Sequence, residues 1–386
     1  MLFLLPSLFV WVAAWADYRY WCRCSASASR RRWLATALIG SHVPLLTMLV
    51  SGLLLRDNTT GWMFMSMWLF WIWLLLVLPR LVYYLFRRLR LPRVGIVVGV
   101  AVAGVLVWGV TAGRTSMRVD RLTICSEKLP AAFDGFRIVQ LSDLHVGTLV
   151  SPERELRRIV DSVASLRPDL IVFTGDLVNI RSSELTDRIA AALRGLQAPY
   201  GVVSVIGNHD SGVYIKDTLN QSPAESLREV VAWQRRQGWQ VLEDSTVYLV
   251  KGDERISLSG ISFDPALRKK RHDVELPPAR LEVVYREVPD SLFNITAVHL
   301  PQLWPQVTGF GYGDLTLAGH VHAMQMKVRL FGEAFSPARL LYKRWSGRYD
   351  KAGRTLYIND GTGYVAYPMR LGAWPEITLI TLQRCA

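Results

Sequence analysis

The sequence predicts N-terminal transmembrane α-helices followed by an α/β domain. Three observations carry this: long apolar stretches crowd the first 113 residues, short apolar runs alternate with helical segments after Met117, and most of the excess positive charge lies in the first region. Of the 386 residues 51% are hydrophobic, which excludes a disordered chain, and four cysteines are too few for a disulfide scaffold.

Four apolar stretches stand in residues 1–113: Leu2 to Trp15, Trp33 to Leu55, Gly61 to Leu78 with an extension to Phe86, and Val94 to Gly113. The last three approach the roughly 20 residues that a helix needs to cross a hydrocarbon core. Nine of the 14 tryptophans fall in this region, several near stretch ends, where aromatic rings favour the headgroup layer. The first stretch is short, and Ala14-Trp15-Ala16 resembles a leader-cleavage site. Only Met1 precedes the run, however, and cleavage would leave Arg19, Arg23, Arg30, Arg31 and Arg32 outside, so retention as an anchor is the favoured reading.

The formal net charge is +13, of which residues 1–113, with 11 basic and 2 acidic side chains, hold +9. Residues 114–386 hold the remaining +4. Basicity concentrated in the apolar region sets membrane orientation rather than gripping phosphate backbones, which argues against a nucleic-acid partner. With four helices, the arginine-rich loops Arg19 to Arg32 and Arg87 to Arg93 lie inside and everything after Gly113 faces outward. The expected location is a multi-pass protein of a bacterial inner membrane with an extracytoplasmic domain, although Arg114, Arg118 and Arg121 oppose this orientation mildly.

His42 falls inside the second stretch without an intramembrane carboxylate partner in view, and reads as a neutral packing residue. Cys22 and Cys24 are too close together to brace anything. Cys125 and Cys385 lie near the two ends of the outer domain and could pair if those ends are neighbouring strands in an oxidising compartment.

In the second domain, residues 114–386, five apolar runs end in the same kind of polar residue. Phe136 to Leu141 runs into Ser142-Asp143-Leu144-His145, Asp169 to Phe173 into Thr174-Gly175-Asp176, and Gly201 to Ile206 into Gly207-Asn208-His209-Asp210. Asn294 to Val298 leads to His299, and Asp314 to Ala318 to Gly319-His320-Val321-His322. Ligands of open α/β sheets sit beyond the carboxyl ends of strands, so five such endings can converge on one site.

Asp143, His145, Asp176, Asn208, His299, His320 and His322 offer oxygen and nitrogen ligands without a thiolate. Seven groups exceed one tetrahedral ion and suit two divalent or trivalent ions sharing a carboxylate; imidazole with carboxylate and amide oxygen selects Mn, Fe or Zn over Ca. Any one of these histidines alone reads as a satisfied core or surface residue. Five of the chain's seven histidines at or just after strand ends do not. The glycines before Asp176, Asn208 and His320 fit a backbone that turns sharply to aim a ligand.

In this order the five blocks resemble the signature of the calcineurin-like metallophosphoesterase superfamily, over about Phe136 to His322. The tail from Leu356 through Gly361, Gly363 and Arg370 to Pro375-Glu376-Ile377-Thr378 resembles its bacterial membrane-anchored branch. The resemblance implies a four-layer α/β/β/α sandwich with two metals at the loop ends of its sheets. It implies that Asp143, His145, Asp176 and His322 hold the first ion, that Asp176, Asn208, His299 and His320 hold the second, and that Asp176 bridges. By the same resemblance His209 faces the scissile phosphate and serves the leaving oxygen, with Asp210 orienting it. Two positions depart from the branch, Ala323-Met324 where it has two glycines and Asp360 where it has a basic residue; both bear on the substrate pocket rather than the ligands.

The expected reaction is hydrolysis of a phosphodiester or phosphomonoester by hydroxide activated between two cations about 3.5 to 4 Å apart, with His209 as the acid. A site tethered to membrane helices meets lipid-borne phosphates, so a phospholipid, a lipid-linked diphosphate or an envelope glycolipid stands beside soluble nucleotides and sugar phosphates as substrate. The run Arg268 to His272 reads as a solvated loop, with contact to anionic headgroups as the alternative. Competing readings make the helices a channel or transporter, or the outer domain a scaffold with a non-catalytic metal site. Missing paired intramembrane charges and an intact His209 speak against them.

Overall fold

The structure, a computed structural model, describes residues 12–22, 27–54, 60–217, 220–267 and 274–385. Most of the first apolar stretch, Cys24 and the run Arg268 to His272 lie outside the described residues. Two compact units divide the chain, one of Met1–Ala112 with Ala366–Met369 and one of Gly113–Val365 with Arg370–Ala386.

In the first unit a helical segment over 12–22 is followed by α1 (Ala28–Gly40), α2 (Val43–Leu54), α3 (Thr60–Arg88) and α4 (Pro92–Thr111). Helices α3 and α4 are each long and apolar enough to cross a membrane. The second apolar stretch is not one straight span: α1 and α2 meet at a 43° bend, and count as a span only as a bent pair. The break falls at Ser41 and His42, where the Ser41 hydroxyl donates to the Leu38 carbonyl at 2.6 Å. A side chain that competes for the helical ladder bends a helix in this way.

His42 does have a carboxylate partner, contrary to the expectation from the sequence. Trp73 Nε1 donates to His42 Nδ1 at 3.1 Å, and Asp17 Oδ2 stands 3.7 Å from His42 Nε2. Arg80 donates to Asp17 at 3.1 Å and to Ser41 Oγ at 2.7 Å, and the Tyr84 hydroxyl closes the group on Asp17. Asp17, His42 and Tyr84 are all buried. Paired ionisable residues therefore do occur among these helices. Asp17 escaped notice because it lies just past an apolar stretch, and its partner Arg80 is 63 positions away.

In the second unit, one six-stranded sheet runs in the order Arg118–Ser126 (β1), Glu376–Arg384 (β14), Arg137–Leu141 (β2), Leu170–Phe173 (β3), Val202–Ser204 (β4) and Gln240–Val241 (β5), and the other in the order Gly347–Lys351 (β12), Arg354–Ile358 (β13), Leu315–Ala318 (β9), Asn294–Val298 (β8), Glu254–Ile261 (β7) and Ser245–Lys251 (β6). The strands that matter for the site are β2 (Arg137–Leu141), β3 (Leu170–Phe173), β4 (Val202–Ser204), β8 (Asn294–Val298) and β9 (Leu315–Ala318). Within each sheet these run parallel to one another. Alternate residues of facing strands, among them Ile138, Leu170, Val172 and Val203 of one sheet and Ile295, Ala297, Leu315 and Leu317 of the other, share one buried core. The opposite face of the second sheet packs Val298, Ala318 and Ile358 against Leu281 and Val284 of a helix over Pro278–Tyr285. On the first sheet, Val241 packs with Val231 of a helix over Pro223–Arg236. This is the four-layer α/β/β/α sandwich.

The helix over Pro223–Arg236 starts where the sequence dictates: Ser222 caps it by accepting from Glu225 N, and Pro223 occupies the first turn, where its missing N–H costs nothing. The strand β1 (Arg118–Ser126) pairs in parallel with β14 (Glu376–Arg384), which in turn lies antiparallel to β2. That pairing brings Cys125 and Cys385 together in a disulfide with Cα atoms 5.6 Å apart. The two ends of the unit are thus neighbours in one sheet, the condition under which the sequence allowed this pairing.

Candidate metal centre

Because β2, β3 and β4 are parallel, their carboxyl ends lie along one edge of the first sheet. Asp143, His145, Asp176 and Asn208 follow directly. Strands β8 and β9 bring His299, His320 and His322 to the corresponding edge of the second. A direct link crosses between the sheets, since the backbone N–H of His320 donates to both Asp143 carboxylate oxygens at 3.2 and 3.1 Å.

The backbone makes the approach possible in two different ways. Asp143, His145, Asp176, His320 and His322 themselves adopt left-handed conformations, with φ between +43° and +75°. Such strain in non-glycine residues persists only where surrounding structure enforces it, and it concentrates at functional sites. The preceding glycines, expected to supply the turn, mostly serve closeness instead: only Gly175 has positive φ, at +95°. A Cβ on Gly207 would lie 2.2 Å from Asp176 Oδ1, and one on Gly319 would lie 1.9 Å from Ser142 Oγ.

Two groups of donors result. Asp143, His145, Asp176 and His322 each present a ligand atom within 4.8 Å of the others, and Asp176, His299 and His320 form a second such group. Asp176 belongs to both. In the first group His145 Nε2 and His322 Nε2 are 3.2 Å apart, and His322 Nε2 is 2.9 Å from Asp143 Oδ1. In the second, Asp176 Oδ2 lies 3.1 Å from His299 Nε2. Asn208 Oδ1 lies 2.8 Å from that same nitrogen and 2.7 Å from His320 Nδ1. His299 Nδ1 donates to the Thr174 carbonyl at 2.8 Å, which orients the ring with Nε2 toward the group.

All seven side chains are buried or nearly so, and the electrostatics follow from that. Burial alone raises the Asp143 carboxyl, but His322 beside it overcomes this and holds it below the usual carboxylate range. Asp176 is held well below in the same way, against burial, chiefly by His299 and His209. Burial pushes His145 well down, and with help from His299 it pushes His320 down to about 3. His299 moves the other way: burial opposes its charge, yet Asp176 lifts it to about 9.

These donors fit a cation. Asp143 and Asp176 are essentially solvent-free, and among the described residues no lysine or arginine pairs with either; the oppositely charged partners the ion pairs give them are histidines alone. A buried carboxylate without a cation is strongly unfavourable. Two imidazole nitrogens 3.2 Å apart with carboxylate oxygens beside them are the donor set that divalent transition metals take.

The comparisons with known proteins agree. A family model described as calcineurin-like phosphoesterase matches residues 136–324. The uncharacterized metallophosphoesterase YkuE of Bacillus subtilis is 31% identical over 264 residues, 68% of this chain and 84% of that protein. The chain belongs to the calcineurin-like phosphoesterase family. A transmembrane protein with metallophosphoesterase domain from Danio rerio is 32% identical over 72% of this chain and 60% of its own length. The UDP-2,3-diacylglucosamine pyrophosphatase LpxG of Chlamydia trachomatis is 26% identical over 73% of this chain and 94% of its own.

In this member of the phosphoesterase family His209 stands beside the donors, its ring 4.6 Å from that of His145 and perpendicular to it. The backbone N–H of His209 donates to Asp176 Oδ1 at 2.8 Å, and its ring Nδ1–H donates to the Asn179 carbonyl. Asp210 does not orient His209, contrary to expectation. Its carboxylate accepts four backbone N–H groups, from Asp176, Leu177, Val178 and Gly207, at 2.8 to 3.1 Å. The orienting group is a backbone carbonyl, which no side-chain motif announces.

Three other residues support the site, of which only Tyr214 had no signal in the sequence. Tyr214 accepts from Asn208 Nδ2 at 3.0 Å and stacks 4.4 Å from the His209 ring. Gly363 N donates to the Asp143 carbonyl at 2.8 Å. Behind it the buried Arg370 donates to the carbonyls of Gly363, Asp360 and Ala373 at 2.8 to 3.0 Å. Gly361, Gly363 and Arg370 were legible only as a tail pattern. Their task is to brace the Asp143 loop.

Proposed function

We propose that this chain is a dinuclear metal-dependent phosphoesterase that hydrolyses phosphodiester or phosphomonoester bonds at the outer face of a bacterial inner membrane. Residues 1–113 form a multi-pass anchor of about four helices, and residues 114–386 form the catalytic domain. Asp143, His145, Asp176 and His322 hold one ion, and Asp176, Asn208, His299 and His320 hold the other. The observation that carries this reading is that two donor groups share the single carboxylate of Asp176. When bound, Mn, Fe or Zn ions neutralise phosphoryl oxygens and make water nucleophilic at neutral pH.

The residues of the chain do the rest. The Asn179 carbonyl accepts from His209 Nδ1–H, so Nε2 passes a proton to the leaving oxygen only from the imidazolium form, which burial disfavours and the negative charge of a bound phosphate ester would favour. Asp210 holds the turn after Gly175 at fixed distance from Gly207, so the two strand ends that supply Asp176 and Asn208 keep their separation.

An outer location is supported by the Cys125–Cys385 disulfide, since such bonds persist in oxidising compartments. A lipid-borne or envelope phosphate as substrate is supported by the helices and by the name of the relative from Chlamydia trachomatis, a pyrophosphatase for UDP-2,3-diacylglucosamine.

The test uses the detergent-solubilised full chain, with bound metal counted and turnover of bis-(p-nitrophenyl) phosphate, its monoester and lipid phosphates measured with Mn added. His209→Ala is expected to keep metal and lose turnover by about 10²- to 10⁴-fold on substrates with poor leaving groups. Asp176→Ala is expected to lose both. Unchanged turnover of the lipid phosphates in His209→Ala, or of any of the substrates in Asp176→Ala, overturns the assignment.

A further inference from the structure

Outside the metal centre, the first unit holds a cavity of about 470 Å³ between α1, α3 and α4, walled by apolar side chains including Leu34, Ala37 and Ala103, with Arg80 and Tyr84 at one side. Its lining residues lie between 33 and 38, 79 and 84, and 95 and 103. All of them fall within about 17 Å of the start of α1, the end of α3 or the start of α4, at 1.5 Å per residue. That depth is about half a hydrocarbon core, so the groove belongs to one leaflet.

The mouth of that leaflet is crowded with positive charge. Arg30, Arg31 and Arg32 sit on the first turn of α1, Arg87 and Arg88 on the last turn of α3, and Arg90 and Arg93 flank the turn into α4. None of the seven has an ion-pair partner among the described residues. The one described carboxylate of the unit, Asp17, is already taken by Arg80. Arg80 is itself fixed by Asp17 and Ser41, while its Nε, buried, has no acceptor among the described residues.

The small residues of α4 do not await a second helix. A Cβ on Gly99 would lie 2.9 Å from the Pro79 carbonyl oxygen, and one on Gly95 would lie 2.9 Å from Phe86 Cβ. This face is consumed by packing against α3. What remains open is a slot with an almost wholly apolar wall and, at its mouth, a cationic rim without carboxylate partners among the described residues.

We propose that the groove is a binding site for an anionic glycerophospholipid, one acyl chain lying against the apolar wall between α1 and α4 and the phosphate meeting the arginine rim. Charge complementarity selects the occupant: basic pockets between membrane helices gather anionic headgroups, whereas a zwitterionic lipid gains little from seven guanidinium groups that have no carboxylate partner among the described residues. The site is independent of the phosphoesterase reading, because it uses none of the metal-centre residues.

The experiment is native mass spectrometry of the full chain released from mild detergent after exposure to equal amounts of phosphatidylglycerol and phosphatidylcholine. One phosphatidylglycerol retained at least about tenfold over phosphatidylcholine is expected. Ala37→Trp, which fills the groove from an exposed position, is expected to abolish retention, and Val100→Trp, exposed on the opposite wall, serves the same purpose if the first variant misfolds by circular dichroism. Arg31→Gln with Arg88→Gln is expected to erase the preference between headgroups. Equal retention of the two lipids, retention unchanged by a folded groove-filling variant, or a dimer mass that excludes lipid would each overturn the proposal. Turnover of bis-(p-nitrophenyl) phosphate, measured in the same samples, separates failure here from failure of the catalytic assignment.

Discussion

Asp210 Oδ2 accepts the backbone N–H of Asp176 at 2.8 Å, so the carboxylate shared by the two donor groups is held from behind by a second carboxylate that touches neither. Burial, followed by the nearby charge of Asp176, raises Asp210 to about 7. The four N–H donors act in the opposite direction and stabilise its ionised form. Asp210→Ala leaves those four donors buried without acceptors, each a penalty of about 1–3 kcal/mol. The expected result is metal affinity reduced about 10- to 100-fold, measured by titration of Mn into the apo protein, together with a lower melting temperature. Asp210→Ala with unaltered metal affinity would show that the clamp does not position the ligands.

The carboxyl of Glu376 gives a pH dependence away from the ligands. Burial, and then the negative charges of Asp360 and Asp120, raise it to about 7 from an ordinary value of 4.5, with Lys327 opposing. The native state therefore binds the proton more tightly than the unfolded chain, and its contribution is fully present below about 4.5 and lost as pH rises through about 7. Thermal unfolding with saturating Mn is expected to show wild-type stability falling over that window relative to Glu376→Gln, which cannot ionise. Parallel pH profiles for the two proteins would contradict the assignment.

The bond between Cys125 and Cys385 closes a loop of 260 residues across the two strands β1 and β14. Loop-closure entropy for so long a segment gives an upper figure of about 5 kcal/mol. Cys125→Ser is expected to lower the melting temperature by a margin that reductant reproduces in the wild type and leaves unchanged in the variant. A wild-type protein insensitive to reductant would refute a stabilising role.

Much of this site was legible because the chemistry sits immediately after apolar runs. Asp143, Asp176 and His299 each follow a strand by one to three residues, so periodicity located them before any fold was known. What escaped the sequence depends on contacts between distant residues or on the backbone. The ion pair of Asp17 with Arg80 spans 63 positions, and the bond from His209 to Asn179 ends on a carbonyl that every residue possesses. Likewise β14 enters the sheet between β1 and β2, an insertion set by packing of the last strand rather than by any local signal.

The last block of the site also carries avoidable strain. His322, Ala323, Met324 and Gln325 take φ of +52°, +47°, +46° and +56°, four successive left-handed residues, none of them glycine. Each such residue costs about 1–2 kcal/mol relative to a conformation without the Cβ clash. His322 is held there as a donor, and Ala323 is fully buried, so its methyl contributes packing that a glycine would lose. Met324 is 37% exposed, which makes it the position where relief is least offset. Met324→Gly is expected to raise stability by about 1 kcal/mol, the released strain exceeding the extra entropy that glycine gives the unfolded chain. Urea unfolding of the two proteins reads this directly. A less stable glycine variant would mean that the methionine side chain contributes more through its contacts than its backbone costs.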